Sequence, residues 1–216
     1  MLSMFITLEG SEGSGKTSQV PALAKLLSEA GYNVLTTREP GGTHIGDQIR
    51  VILSDQGNTA MQFRTESLLF LAARAQLVAE VILPHLEAGG VVISDRYGDS
   101  TLAYQGYGRE LDLEQLRVLL SFATCRLEPD LTLLLDLDVE EGLRRRLKEG
   151  DLNRLDTLEL EFYQRVRRGY LEMAQADPER WVVVDAERPP EQVQEVIGRI
   201  VLERLKGDAR NLLRRP

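Results

Sequence analysis

The chain has 216 residues, of which 43% are hydrophobic and 28% are charged, a size and composition that suit one substantial core rather than two. Its formal net charge of −8 gives no overall attraction to polyanions, which argues against a nucleic-acid polymer or an anionic membrane as a partner. We therefore expect one domain over residues 1–216, in which any anion-binding site is local.

We expect neither an export signal nor a membrane span. The longest apolar segment, SLLFLAARAQLVAEVILPHL at 67–86, carries Arg74 and Glu80 in its middle, where a bilayer core would penalise both charges. A buried helix in a cytoplasmic protein is the better interpretation. The lone Cys125 cannot form an internal disulfide, which fits a reducing compartment, and we expect it to pack inside.

Short apolar runs rich in β-branched residues alternate with longer segments of helical period, the pattern of an α/β fold with a parallel sheet covered on both faces. The predicted strands are 4–9, 33–38, 91–94, 131–137 and 181–185. The predicted helices are about 15–30, 44–54, 63–87, 112–124, 139–148, 157–175 and 190–206. We expect irregular structure at 39–46, 55–60, 98–110 and 149–156.

A phosphate-binding loop follows the first predicted strand. The pattern G-x-x-x-x-G-K-[ST] is matched by Gly10, Ser11, Glu12, Gly13, Ser14, Gly15, Lys16 and Thr17. Glycines let backbone N–H groups turn toward phosphate oxygens, while Lys16 reaches the β and γ phosphates and Thr17 binds Mg²⁺. The alternative is a flexible Gly/Ser turn, but a strand before and a helix after favour a triphosphate site. A GTPase switch is disfavoured because the chain contains no Asn-Lys pair.

Asp95 and Arg96 follow the third predicted strand. Ligands of open parallel sheets bind beyond the carboxyl ends of the strands, where a carboxylate can serve a metal and a guanidinium can hold phosphate oxygens. The alternative is a helix-capping Asp beside a surface Arg.

Four segments together resemble the thymidylate kinases, the phosphate-loop kinases that transfer the γ-phosphate of ATP to dTMP. They are LEGSEGSGKT, REPGGT, DRY followed by STLAYQG, and RRRLKEGDLNRLD, so that the resemblance runs along the whole chain. The resemblance implies a P-loop NTPase fold with a five-stranded parallel sheet, a mobile lid at about 143–156, Mg²⁺ as cofactor and a homodimer joined through helices.

The resemblance also implies a dTMP site, drawn from the segments after the second and third strands and from the long helix. Its residues would be Glu39, Pro40, Arg50, Phe70, Arg74, Arg96, Ser100, Thr101, Tyr104 and Gln105. Phe70 would stack on thymine, Arg74 would contact base or phosphate, and Tyr104 would exclude a ribose 2′-hydroxyl. By composition alone Phe70 is a core residue, and Arg50 is equally consistent with a solvent-facing arginine.

The resemblance assigns the remaining catalytic groups to the phosphate loop and the lid. Asp95 would help to hold Mg²⁺, and Glu12 would face the acceptor sugar or the waters of the metal. Some thymidylate kinases carry an arginine within the phosphate loop, but Gly13 stands there, as in the bacterial subgroup whose catalytic arginines come from the lid. Arg154 is the first candidate, Arg146, placed with ATP, the second, and Arg144 the third; by composition alone this charge run is a solvated helix face.

Two further segments have open interpretations. Asp136 and Asp138 either assist the metal or only mark a strand end, and the segment 185–189 is expected near adenine. The predicted activity is direct transfer from ATP to dTMP. The alternatives are another nucleoside or deoxynucleoside monophosphate kinase and a non-catalytic phosphate-loop module.

Overall fold

A computed structural model describes residues 3–150 and 159–212 and contains a five-stranded sheet in which all paired strands are parallel. The strands are β1 (Met4–Glu9), β2 (Val34–Arg38), β3 (Val91–Asp95), β4 (Leu131–Asp136) and β5 (Trp181–Asp185), in the spatial order β2-β3-β1-β4-β5. The predicted α/β class is confirmed, and each strand lies within one residue of its predicted limits.

Helices connect the strands. They are α1 (Lys16–Glu29), α2 (His44–Ser54), α3 (Phe63–Glu87), α4 (Gly98–Thr101, continuing as a π-helical segment Leu102–Gly108), α5 (Leu113–Ala123), α6 (Val139–Glu149), α7 (Leu160–Ala176) and α8 (Pro190–Leu212). Within α3, the turn Val78–Ile82 is π-helical, and Pro84, two residues after it, has no N–H to donate to the preceding turn.

The alternation of side chains along β1 decides which residues reach the site. Met4, Ile6 and Leu8 pack in the core beneath α1 and α8, so Phe5, Thr7 and Glu9 face the opposite side, where Phe5 packs against α3. Leu8 pairs with Asp95 and Glu9 with Leu134, which brings the carboxyl ends of β1, β3 and β4 to one edge. That edge is where a ligand of such a sheet is expected.

Segment 98–110 is not irregular, and this prediction was wrong. Its three glycines lower helix propensity, but Leu102, Ala103 and Tyr104 are buried in a core cluster shared with α7. At Gly108 an added Cβ would lie 2.6 Å from the Phe162 ring of α7, so the glycine permits the close packing that holds the helix. Tertiary packing has overridden local preference here.

Two other expectations concern burial. The prediction for Cys125 was wrong, because this residue is exposed, at a left-handed turn with φ of 51°. Helix α3 is long and apolar enough to cross a membrane by length and composition. Core helices meet the same criterion, and Leu71, Leu77, Val78 and Ile82 of α3 are buried in the core.

Removal of Arg180, which lies outside the cavity, should lower the free energy of unfolding. Arg180 donates to Asp99 Oδ2 at 2.6 Å and to Thr132 at 2.9 Å, which ties the start of α4 to β4, and Asp99 is only 6% exposed. Arg180→Leu leaves Asp99 charged, buried and unpaired, so we expect the free energy of unfolding in urea to fall by about 3 kcal/mol.

The matched control is Arg188→Leu, which breaks an exposed pair with Asp185. That change should lower the free energy of unfolding far less, because exposed ion pairs are screened by solvent. Equal losses in the two variants would show that the Asp99 pair adds nothing beyond a surface ion pair.

Candidate active site

A cavity of about 660 Å³ opens at the carboxyl edge of β1, β2 and β3. Its walls come from the loop after β1, the loop after β2, and the helices α2, α3 and α4. Of the predicted site residues in the described part of the chain, it is lined by Glu12, Gly13, Gly15, Lys16, Thr17, Glu39, Pro40, Arg50, Phe70, Arg74, Asp95, Arg96, Ser100, Thr101, Tyr104, Gln105 and Arg146. Residues separated by up to 134 positions in sequence thus share one space.

The loop between β1 and α1 has the backbone of an anion cradle. Gly10, Gly13 and Gly15 have φ of 145°, 69° and 87°, a range open to glycine. At Gly10 an added Cβ would also lie 2.5 Å from the Leu135 carbonyl oxygen of β4. Lys16 Nζ donates to Ser11 O at 2.8 Å and to Ser14 Oγ at 3.0 Å, so the loop wraps around its own ammonium group.

The charge of Lys16 is costly in this position. Burial, and then the positive Arg96, lower the pKa of Lys16 to about 8. Phosphate oxygens placed beside this ammonium group would offset that cost, because an opposite charge favours the charged form.

Thr17 and Asp95 form a small oxygen pair at the mouth of the loop. Thr17 Oγ1 donates to Asp95 Oδ2 at 2.6 Å, which joins the start of α1 to the end of β3. A hydroxyl and a carboxylate are ligand types that Mg²⁺ accepts, with phosphate oxygens and water completing its coordination. Among residues 3–150 and 159–212 no three His, Cys, Asp or Glu side chains converge as a metal site.

Arg96 lies at the centre of the cavity wall. It has φ of 71° directly after β3, and this turn directs its guanidinium toward the phosphate loop. The guanidinium donates to Gly10 O at 3.1 Å, Glu12 Oε1 at 2.7 Å, Tyr104 Oη at 3.0 Å and Ser100 Oγ at 3.2 Å. Although burial alone would lower the pKa of Arg96, the Glu12 carboxylate raises it well above its usual value.

Glu12 explains how a carboxylate can lie within a phosphate loop. Its Oε1 accepts from Arg96 and, at 2.9 Å, from the Tyr104 hydroxyl. Burial opposes its charge, but Arg96 and then Lys16 outweigh burial and lower the pKa of Glu12. The side chain faces α4, the predicted acceptor side, rather than the interior of the loop.

A buried ion pair between Glu39, in the loop after β2, and Arg74, on α3, holds this loop against α3. Arg74 Nε donates to Glu39 Oε2 at 2.7 Å, and the same guanidinium reaches Thr101 Oγ1 at 2.9 Å and the Tyr97 carbonyl at 3.0 Å. Arg74 is 1% exposed, so most of its polar surface already serves the protein. Its predicted contact with the nucleotide stays a prediction, while its positioning of Glu39 and Thr101 is a finding.

The remaining predicted acceptor residues lie around the same space. Phe70 is half-buried with part of its surface on the cavity, unlike a fully buried core residue. Arg50 donates to Pro40 O at 2.9 Å and lines the cavity, so it is not simply solvent-facing. Stacking on thymine and contact with phosphate are compatible with these positions and stay predictions.

Sequence reasoning missed a buried carboxylate beneath Arg96. Glu9 is fully buried at the end of β1 and accepts from Tyr97 N at 2.7 Å, Ser100 Oγ at 2.6 Å and Tyr170 Oη at 2.8 Å. Burial, and then the nearby Asp99, raise the pKa of Glu9 to about 7. A glutamate ending an apolar strand was a signal for Glu9, but nothing local in the sequence marked Tyr170 on α7.

The structure separates the lid arginines. Arg146 lines the cavity. Its positive charge helps to lower the pKa of Glu12 against the effect of burial, although Arg96, Lys16 and the Tyr104 hydrogen bond lower that pKa more. Arg144 instead makes two 2.7 Å contacts with Glu141 on the exposed side of α6, away from the cavity. Arg154 lies outside the described residues, as do residues 151–156 of the segment 149–156 that was predicted to be irregular.

Contact between the phosphate loop and α6 leaves no room for a side chain at position 13. A Cβ added to Gly13 would overlap the Gly142 carbonyl oxygen, and the φ of 69° is itself unfavourable for other residues. An arginine could not occupy this loop without moving α6, which is consistent with catalytic arginines supplied from elsewhere.

Asp136 and Asp138 lie at and just after the end of β4 and bond to groups other than the Thr17–Asp95 pair. Asp136 receives two bonds from Arg167 at 2.8 and 2.9 Å, and Asp138 caps the first turn of α6 through Glu140 N. In segment 185–189, Asp185 accepts from Glu187 N at 3.0 Å, which orders the turn before α8. The placement of adenine near this turn stays a prediction.

Comparisons with known proteins agree with one another. The family model described as thymidylate kinase matches residues 8–197. A thymidylate kinase of Thermomicrobium roseum is 53% identical over 211 residues, covering 97% of this chain and 100% of the relative, and one of Roseiflexus sp. strain RS-1 is 51% identical over 212 residues, covering 93% and 94%. The crystal structure of thymidylate kinase from Ehrlichia chaffeensis matches with a TM-score of 0.76 at 34% identity, over 93% of this chain and 99% of that one.

The free energy of unfolding of the ligand-free protein should fall as pH rises from the usual pKa of a glutamate toward the raised pKa of Glu9. The pKa of Glu9 is about 7 when folded against a usual 4.5, so the folded state holds the proton more tightly and its advantage is lost between those values. In the unaltered protein, Glu9 should lower the free energy of unfolding by about 2 kcal/mol between pH 5 and pH 8. In Glu9→Gln this part of the decline should be absent, as measured by urea unfolding at each pH.

The control is Glu80→Gln, an exposed glutamate of α3. Its pH profile should match that of the unaltered protein. A Glu9→Gln profile that also matches would contradict the assignment of the decline to Glu9.

Proposed function

Because the chain belongs to the thymidylate kinase family, we propose how the residues of its cavity divide the work of transferring the γ-phosphate of ATP to dTMP. The reaction gives dTDP and ADP. The observation that supports the division is that the Thr17–Asp95 pair and the Arg96–Glu12 pair line one cavity, so a donor and an acceptor phosphate have a common meeting place. We further propose that residues 1–216 form one catalytic domain.

The donor half is the phosphate loop. Backbone N–H groups between Gly10 and Thr17, together with the N-terminus of α1, favour the β and γ phosphates of ATP. Lys16 would neutralise charge on these oxygens, and its hydrogen bonds to Ser11 and Ser14 hold its ammonium group within the loop. The adenine would lie toward segment 185–189.

The metal half is the Thr17–Asp95 pair, which fits Mg²⁺ by the chemistry of its donor set. Thr17 would ligate the ion directly, and Asp95 would hold it or its waters. When bound, Mg²⁺ neutralises charge on the β and γ oxygens. The 2.6 Å bond between the two residues fixes the hydroxyl and the carboxylate at adjacent positions before any nucleotide arrives.

The acceptor half runs from Arg96 to Phe70. Arg96 and Arg50 would hold the dTMP phosphate, the backbone of the Glu39–Pro40 loop would line the sugar, and Phe70 would stack on thymine. Ser100, Thr101 and Gln105 would contact the base. Tyr104 lies against Glu12 and Arg96, and from this position its ring would exclude a ribose 2′-hydroxyl.

Catalysis is then positioning and charge stabilisation. The acceptor phosphate oxygen attacks the γ-phosphorus in line, the bond to the ADP oxygen breaks, and no covalent enzyme intermediate forms. Lys16, Arg96 and Arg146 line one cavity and would surround the transferring group, and Arg154 would complete the set. Crowding at Gly13 favours this lid-supplied arrangement.

The experiment that tests the proposed function is an acceptor panel of dTMP, dUMP, dCMP, AMP and thymidine with radiolabelled ATP. dTMP should have the highest kcat/KM. Preference for another monophosphate would replace the assigned substrate, and no transfer to any acceptor would indicate a binding module.

A homodimer is proposed from an exposed apolar face on three neighbouring helices, α2, α3 and α5. Val51, Leu68, Val118 and Phe122 are 69%, 55%, 70% and 86% exposed, an unusual density for a surface in contact with water. We propose that a second copy covers this face. We also propose a cytoplasmic location, where ATP and dTMP are available to the enzyme.

Arg96→Ala should abolish turnover with little effect on ATP affinity. It removes charge from the acceptor phosphate and leaves Glu12 unpaired beside it, so we expect kcat to fall at least about a thousandfold. Steady-state kinetics and ATP titration calorimetry measure the two effects. Arg168→Ala, an exposed arginine of α7, is the control, and near-normal kcat in Arg96→Ala would remove Arg96 from the mechanism.

Phe122→Asp should convert the dimer to a monomer. A charge at the most exposed apolar side chain of the face opposes its burial against a partner. Light scattering after size exclusion measures the mass, with Val183→Asp, an exposed apolar site on β5, as control. A monomeric unaltered protein, or an unchanged mass in Phe122→Asp, would contradict the proposed interface.

A further inference from the structure

A polar cluster lies behind the proposed base end of the cavity, where Glu66 and Arg109, which have no role in the steps above, adjoin Gln105. Glu66 is one helical turn before Phe70 on α3 and is 1% exposed. Gln105 Nε2 donates to Glu66 Oε1 at 3.1 Å. Arg109 lies 3.4 Å from both Glu66 oxygens, through Nε and Nη2.

Arg109 is held rigidly on the far side of Glu66. Its guanidinium lies 4.4 Å from the centre of the Phe63 ring and 5.0 Å from that of Phe162. The carboxylate of Glu66 therefore has a fixed cation on one side and the Gln105 amide on the other. A buried carboxylate paired in this way accepts hydrogen bonds and donates none.

This arrangement determines which end of the Gln105 amide faces the cavity. Turning the amide over would place its oxygen 3.1 Å from Glu66 Oε1, two buried acceptors in contact, so the NH₂ group must face Glu66. Gln105 lines the cavity, and its Oε1 has no hydrogen-bond partner among residues 3–150 and 159–212. Gln105 Oε1 is therefore available to the cavity as a hydrogen-bond acceptor.

We propose that Glu66 is a positioning residue that sets base specificity by fixing the Gln105 carboxamide with its oxygen toward the base. The proposal rests on the proposed function, in which Gln105 contacts the base of dTMP. An acceptor in this place suits a pyrimidine with an N–H at N3, as in thymine and uracil. Cytosine has an acceptor at N3, so its nitrogen would oppose Gln105 Oε1 and leave both groups unpaired.

Specificity would then be set by two residues, only one of which touches the nucleotide. Phe70 can stack on any pyrimidine, and the phosphate contacts do not depend on the base. Discrimination between dTMP and dCMP needs a directional polar group, and Glu66 supplies its direction. The thymine methyl plays no part in this step, so dUMP should respond to Glu66 as dTMP does.

The test is Glu66→Gln, measured as kcat/KM for dTMP, dUMP and dCMP at saturating ATP. Because glutamine can both donate and accept, it tolerates either orientation of the Gln105 amide. We expect the dTMP-to-dCMP ratio of kcat/KM to fall about tenfold or more, while the dTMP-to-dUMP ratio stays within about twofold. If Glu66 had a purely structural role, its replacement would lower kcat/KM for all three substrates by the same factor.

A double-mutant cycle with Gln105→Leu separates the orienting effect from others. In the Gln105→Leu background no amide remains to be oriented, so adding Glu66→Gln should change the dTMP-to-dCMP ratio by less than about twofold. The matched control is Glu80→Gln, because exposed Glu80 also accepts from a glutamine of α3, at 2.7 Å from Gln76 Nε2. It should leave all ratios unchanged.

Thermal unfolding and ATP affinity establish whether Glu66→Gln is folded. If it is not, Glu66→Met, of similar volume and without an acceptor oxygen, is measured in the same way with the same expected ratio. An unchanged dTMP-to-dCMP ratio in a folded variant, or a uniform loss on all three substrates, would overturn the role of Glu66. An unaltered protein that fails to phosphorylate dTMP would instead overturn the proposed function.

Discussion

The guanidinium of Arg96 joins the two halves of the cavity. It donates hydrogen bonds to Gly10 and Glu12 in the phosphate loop and to Ser100 and Tyr104 on α4, so one side chain links the proposed donor side to the proposed acceptor side. The left-handed backbone of Arg96, at φ of 71°, makes this reach possible directly after β3. The division of the site into donor and acceptor halves depends on this one side chain.

In the described part of the chain, two carboxylates around the cavity are paired with arginines, whereas Glu9 and Lys16 are not part of such a pair. Glu12 pairs with Arg96 and Glu39 with Arg74, and each has hydrogen bonds on both partners. Lys16, whose pKa falls to about 8 through burial, has mainly loop oxygens beside its ammonium. Binding of a triphosphate would offset this cost, because phosphate oxygens favour the charged form of Lys16.

The sequence predicted those parts of the fold and site that local patterns encode. Five apolar runs gave the sheet, and the glycines before Lys16 gave the phosphate loop, because strand and loop geometry depend on neighbouring residues. The helix at 98–108 escaped prediction because its order comes from packing against α7, far along the chain. Glu9, Tyr170 and Glu66 were missed for the same reason: their partners lie 39 to 161 positions away.

Transfer in a single in-line step is the consequence that follows most directly from the proposed meeting of a donor and an acceptor phosphate at Arg96. The measurement is the stereochemistry at the γ-phosphorus, using ATP made chiral there with oxygen isotopes and analysing the phosphoryl group received by dTMP. Direct attack predicts inversion of configuration. Retention would require an even number of displacements through a phosphorylated enzyme group, and would contradict an active site in which donor and acceptor meet directly.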